Sequence, residues 1–295
     1  MDTFSVRAWA TLLPGPEERL RAPYPAEGKG HLRGFADDPC VHEGIPAKLG
    51  RRIDPFAALA LRVVTRLLSG IATFDPDLTG VFFANTMGGW SYAEKEVALL
   101  TEKGPHWVHP YFVTAWFPPA AQGEVTILHG LRGRSKTTTG GTSALGEAFW
   151  LARDALEHGA VDTVIVGAVE SLAASVVLDT LAGRSPAAEG PVEGAVVLAL
   201  SAGEAASDGT CHAVLEGLHY DKEARERPGG RRFWSPPLSH ACALVEAVAA
   251  AADTGRRSEA DLGGGYRVSI RPASAVGRSA SGQPGEDTQA LRQES

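Results

Sequence analysis

The chain has 295 residues, 44% of them hydrophobic and 21% charged, with a formal net charge of −7. That balance suits a globular protein of one large domain or two small ones, and the acidic charge argues against nucleic acid or an anionic membrane as the main partner. No apolar run is long enough to span a bilayer, and Met1 to Arg7 has no basic stretch leading into an apolar core, so no signal peptide is expected.

In chain order, Ser5 to Thr11 alternates and reads as a strand. Residues 13–48, rich in Pro, Gly and charge, read as a long loop. Asp54 is placed to cap a helix that has Pro55 in its first position. Phe56, Leu59, Ala60, Val63, Val64 and Leu67 follow at helical spacing, and Gly70 ends the run. Gly80 to Ala84 reads as a buried strand that leads into the glycine turn Asn85-Thr-Met-Gly-Gly89, with a helix from Ser91 to Glu102. Gly123 and Gly130 bracket Val125 to Leu128, which is helical or an element end. Ser143 to His158 is a helix stopped by Gly159.

Thr163 to Gly167 is continuously apolar, as strands of parallel sheets are, and Val196 to Leu200 and His212 to Gly217 read the same way. An alanine-rich helix from Ala241 to Ala251 and a strand from Tyr266 to Arg271 complete the pattern. Residues 273–295 lack periodicity and are expected to be a disordered tail. Strands and helices interleave, which makes the chain α/β.

The segment from Lys136 to Glu147, Lys-Thr-Thr-Thr-Gly140-Gly141-Thr142-Ser143-Ala-Leu-Gly-Glu, reads as strand, glycine turn and helix start. This is the elbow on which α/β enzymes hold a nucleophile. No cysteine lies nearby: Cys40, Cys211 and Cys242 are scattered, fit neither a disulfide framework nor a zinc site, and leave a reducing cytoplasm as the expected compartment. No lysine follows the glycines, so the loop is not a phosphate cradle. Thr142 can cap the following helix, line a pocket or act as a nucleophile, and Ser143 can compete for the cap. His129 reads as structural, and His106 and His109 sit in a loop-like segment that does not suggest a metal site. His240 and Cys242 are close enough in sequence for a dyad, although packing is the default for such a cysteine.

Several motifs in order resemble the β-ketoacyl synthases of the thiolase fold. They are Arg51 to Phe56, the turn Asn85 to Gly89, Lys103-Gly-Pro-His-Trp-Val-His-Pro-Tyr-Phe112, Leu128-His-Gly-Leu-Arg-Gly133, and His158 to Asp162 followed by Val166-Gly-Ala-Val-Glu170. Counting without a gap forward from Gly133 and back from Gly159 places the family's catalytic cysteine at Thr142. The resemblance is good up to about residue 217 and weak beyond. The family's first histidine motif, His-Gly-Thr, is absent, and only Ser239 to Glu246 is faintly similar to the second. Thr114-Ala-Trp-Phe117 is similar to the Ala-Trp-Phe of chain-length factors, the inactive homologues that pair with a ketosynthase in type II polyketide synthases. Most of those carry glutamine where this chain has Thr142.

The resemblance implies a thiolase-like α-β-α-β-α fold with an abbreviated C-terminal half. Residues 1–217 would form the ketosynthase-like half, 218–272 the shortened one and 273–295 the tail. It implies a non-catalytic chain-length factor of a highly reducing, polyene or aryl-polyene system, joined as heterodimer or heterotetramer to a cysteine-bearing ketosynthase. Acyl carrier protein would be engaged mainly through that partner, with no cofactor and no metal. Phe112, Ala115, Trp116, Pro119 and Thr142 would bound the acyl tunnel, with Phe112, Ala115, Trp116 and Pro119 forming one stripe if the segment is helical. Trp107, Tyr111, Phe117, Thr138 and Thr139 would meet the partner. The alternatives are an acyltransferase or hydrolase using Thr142 or Ser143, and a stand-alone acyl-binding module.

Overall fold

A computed structural model describes residues 3–13, 32–33, 39–172, 174–177, 190–191, 193–203, 211–223 and 237–273. The expected tail lies, apart from Ala273, outside the described residues, as does much of the expected loop over 13–48.

Eight strands form one mixed sheet. In chain order the strands are β1 (Thr3–Leu12), β2 (Leu32–Arg33), β3 (Thr79–Asn85), β4 (Lys136–Thr139), β5 (Thr163–Ser171), β6 (Gly190–Pro191), β7 (Glu193–Ala202), β8 (Ala213–Tyr220), β9 (Ser258–Gly263) and β10 (Tyr266–Pro272). The sheet order is β4-β3-β5-β7-β1-β8-β10-β9, while β2 and β6 pair separately. The helices are α1 (Ala47–Gly50), α2 (Pro55–Ser69), α3 (Trp90–Lys103), α4 (Phe112–Ala115), α5 (Ala120–His129), α6 (Ala144–Glu157) and α7 (Pro237–Thr254).

Alternation along the strands explains why they read as continuously apolar. Side chains point to opposite faces in turn, and both faces are covered. Val81 and Phe83 of β3 and Ile165 and Val169 of β5 pack with α2 and α5. Phe82, Ala84, Val164, Val166 and Ala168 pack with α6 and α7 on the other face. Burial on two faces was correctly expected, but its link to parallel pairing holds only in part. β3 is parallel to β4 and β5, whereas β7 runs antiparallel to both β5 and β1, and β8 is antiparallel to β1 and β10. Helices above and below remove the polar face that normally marks an antiparallel strand.

Asp54 is the N-cap of α2: its Oδ1 accepts from Phe56 N at 2.9 Å, with Pro55 behind it. Val125 to Leu128 belongs to α5, which begins five residues earlier at Ala120. β9 was not foreseen, because Ser-Glu-Ala-Asp-Leu-Gly has little β propensity. β8 crosses residue 217, and β9 and β10 continue the same sheet. The segment after 217 therefore extends the first sheet over the described residues. α6 packs against β3, β4 and β5 and also touches β9 and β10.

Candidate functional site

The elbow forms where the sequence places it. β4 leads through Gly140, whose φ of 139° is outside the range of ordinary side chains, and Gly141 into α6. Thr138 is buried and its hydroxyl donates to the Ala144 carbonyl at 2.7 Å, which fastens the strand to the helix start. Thr139 is exposed and Thr142 half-buried. The N-cap of α6 is Ser143 rather than Thr142, and no side chain caps the helix. Ser143 has right-handed helical angles (φ −87°, ψ −14°), so its hydroxyl is not presented to the free amides as an extended cap residue would present it. It donates instead to Glu147 Oε1 at 2.8 Å.

The turn between β9 and β10 covers this elbow. Gly263, Gly264 and Gly265 all have positive φ, from 59° to 91°. A Cβ at Gly263 would stand 1.8 Å from the Thr142 carbonyl oxygen and 3.0 Å from His240 Nε2, and one at Gly264 would stand 2.4 Å from Ser143 Cβ. Backbone thus lies directly on backbone. Three successive glycines between two strands could have signalled this hairpin in the sequence.

His240 lies beside the same contact. Its Nδ1 is 3.1 Å from the Asp261 carbonyl, which can only accept, so Nδ1 carries the proton. Nε2 is buried and has no hydrogen-bond partner among the described residues. The His240–Cys242 dyad does not form: both residues lie on α7 two positions apart, and such positions point to different sides of a helix. Cys242 packs against the core instead.

The aromatic segment makes a surface rather than a core. Trp107 is 61% exposed, Phe117 51%, Tyr111 41% and Trp116 37%, while Ala115 is buried and Phe112 and Pro119 are half-buried. The continuous stripe over 112–119 is not formed. α4 is a single turn and α5 starts only after Pro118-Pro119, a pair that interrupts helical hydrogen bonding. Trp116 and Phe117 meet edge to face at 6.5 Å, and His109 stacks on Tyr111 at 4.9 Å. The glycine turn after β3 packs beneath this segment. Gly89 N donates to the Trp116 carbonyl at 3.0 Å, and a Cβ at Gly88 would stand 2.4 Å from that oxygen. Among the described residues no group of His, Cys, Asp and Glu is arranged to hold a metal, and His129 Nε2 lies 3.1 Å from Thr65 Oγ1, joining α5 to α2.

Two buried carboxyls support the turn. Asp54 also accepts from Tyr92 N through Oδ2 at 2.7 Å, so it holds the starts of both α2 and α3. Burial pushes its carboxyl up to about 7, against the opposing effect of those amides. Glu170 accepts from the Thr86 hydroxyl at 2.7 Å, and burial raises it to about 8. Neither is singled out as a site residue by the sequence, since an acidic residue at a helix start or a strand end gives no sign of its burial.

This fold matches a known family. The chain belongs to the β-ketoacyl synthases: residues 8–214 match the model of the β-ketoacyl synthase N-terminal domain. It has the thiolase-like ketosynthase fold of that family. Over 156 residues it is 33% identical to a Streptomyces coelicolor protein named as actinorhodin polyketide β-ketoacyl synthase 2, covering 50% of this chain and 36% of that one. Over 227 residues it is 29% identical to a polyketide β-ketoacyl synthase 2 of Streptomyces virginiae, covering 74% and 49%. These matches span half or less of the relatives' own length.

Among solved structures, a chain of a type II polyketide synthase acyl carrier protein in complex with its ketosynthase bound to the hexaketide has a TM-score of 0.74 at 19% identity. The match covers 92% of this chain and 100% of that one. The ishigamide ketosynthase/chain length factor has a TM-score of 0.67 at 18% identity, covering 92% and 99%. No helix among the described residues is long and apolar enough to cross a membrane.

Proposed function

We propose that this chain is a non-catalytic chain-length factor of a type II polyketide synthase. It pairs with a cysteine-bearing β-ketoacyl synthase and walls the tunnel that receives the growing acyl chain. What supports this reading is the strand–turn–helix elbow closed by the Gly263–Gly265 hairpin, at which the motif spacing would put Thr142 in the cysteine's place. Claisen condensation needs a thiolate to hold the acyl group as a thioester. A threonine hydroxyl is far less acidic and needs a positioned base. His240 Nε2, beside the elbow, keeps the acyltransferase or hydrolase alternative specific enough to test.

The surface supports a partner. Among the described residues β4 is an edge of the sheet, hydrogen-bonded only to β3, with Lys136 and Thr139 exposed. An open edge is a template for another strand. Beyond it, Trp107, Tyr111 and Phe117 expose aromatic surface of the kind that anchors interfaces. Phe112, Ala115, Trp116, Pro119 and Thr142 would bound the tunnel, and a bulky ring there would stop the chain by steric exclusion. Acyl carrier protein would bind mainly through the ketosynthase, in a heterodimer or heterotetramer working in the cytoplasm. The finer assignment, to a highly reducing polyene or aryl-polyene system extended by malonyl units, rests on the Thr114–Phe117 resemblance.

Expressed alone, the chain should aggregate, and co-expression with its ketosynthase should give a soluble complex by size exclusion. A monodisperse folded monomer would contradict the proposal. After incubation of the complex with an acyl carrier protein thioester, mass spectrometry should find the acyl group on the partner. Acylation of Thr142 or Ser143 would establish the enzyme alternative instead.

A further inference from the structure

Asn85 closes β3 with 1% of its surface exposed, and three hydrogen bonds leave it in three directions. Its Nδ2 donates to the Pro118 carbonyl at 3.1 Å. Its Oδ1 accepts from Gly88 N at 3.1 Å. Its backbone carbonyl accepts from Gly140 N at 3.2 Å, the first glycine of the elbow. The carboxamide orientation is unambiguous, because a carbonyl can only accept and a backbone N–H can only donate. One buried residue therefore touches the aromatic segment, the glycine turn beneath it and the elbow. Few other side chains could do so. Aspartate has no donor for Pro118, alanine has neither group, and serine is too short to reach both partners. The strand that carries Asn85 lies inside the edge strand, paired with β4 and β5 and packed on both faces, so it is a rigid reference point.

We infer that Asn85 is a positioning residue that fixes the Ala115–Pro118 segment relative to the Gly140–Thr142 elbow, and thereby sets the chain length the tunnel accepts. This rests on the tunnel reading above, and it names a residue that acts through Trp116. Asn85 itself need touch no substrate.

The test uses the complex with the ketosynthase and three variants: Asn85→Asp, Asn85→Ala and, as control, Trp116→Ala. Asn85→Asp is nearly isosteric and keeps the acceptor for Gly88 N, so it carries the test if Asn85→Ala does not fold. The first readout is amide hydrogen exchange. Losing the Pro118 bond should speed exchange at residues 115–121 by up to about tenfold, with β5 unchanged. The second is the distribution of product lengths, which should broaden or shift in the Asn85 variants as it does in Trp116→Ala. A uniform rise in exchange across the sheet, with lower turnover and unaltered lengths, would mean a merely structural role and overturn the inference. Unaltered lengths in the Asn85 variants while Trp116→Ala shifts them would overturn it too. Unaltered lengths in all three would place the failure in the tunnel reading itself.

Discussion

Glu170→Gln should change how stability depends on pH. The Glu170 carboxyl is fully buried and accepts from the Thr86 hydroxyl and backbone. Burial raises it from an ordinary 4.5 to about 8. Between those values the folded chain holds a proton that the unfolded chain has released. Stability is then fully present below about 4.5 and falls as pH rises toward 8, by ~1.4 kcal/mol per pH unit for one group. From pH 5.5 to 7.5 the loss is roughly 3 kcal/mol. Glutamine keeps an oxygen for the Thr86 hydroxyl and cannot ionise, so the variant should lack this component. The assay is chemical denaturation of parent and variant from pH 5 to 9, each with the same ketosynthase, so that all other groups cancel in the difference. Parallel curves would refute the reasoning and mean that Glu170 ionises in the fold without penalty.

Asp54→Ala should cost about 2–4 kcal/mol, because it removes the acceptor of Phe56 N and of Tyr92 N together. Asp54→Asn, which keeps one acceptor, should cost about half that, and thermal melting compares the two. Gly263→Ala combines a left-handed backbone (φ 86°) with a methyl 1.8 Å from the Thr142 carbonyl. A loss of about 2–5 kcal/mol is expected, with faster proteolysis near the elbow; a loss under about 0.5 kcal/mol, the usual range of surface substitutions, would show that the hairpin does not rest on it. Trp116→Ala should cost less than ~2 kcal/mol, since the ring is 37% exposed, yet lengthen the product; unchanged product length would reject gating.

The sequence was most legible where local chemistry decides the structure. Asp54 followed by Pro55 marks a helix start that needs no knowledge of the fold, and Gly130 and Gly159 mark stops with φ of 65° each. The elbow was equally plain, since glycines between a strand and an amphipathic helix leave few other geometries. Strand direction was less legible. Glu193 to Ala202 is apolar because helices cover both faces, and pattern alone cannot separate that from parallel pairing. The cap of α6 was misplaced by one residue, because Glu147 competes for the Ser143 hydroxyl through a contact one helical turn away. Three glycines mark the covering hairpin in the sequence, but not where it lands. It joins Thr142 to Gly263, residues far apart in the chain, through backbone contact that has no side-chain signature.

That contact also bears on how the protein is made. β4 and β9 stand at opposite ends of the eight-stranded order, yet the end of β9 rests on the turn that follows β4. The contact is made through α6, which starts at the elbow, packs over β3 and β5 and also touches β9 and β10. During synthesis the elbow emerges well before the hairpin that covers it. A ribosome-bound chain presents an uncovered elbow until the residues around Tyr266 arrive. Contacts this distant in sequence form slowly, and their exposed precursors aggregate. The proposed assembly with a ketosynthase would compete with that aggregation, and slowing translation past residue 142 should lower the yield of complex even when every residue is unchanged.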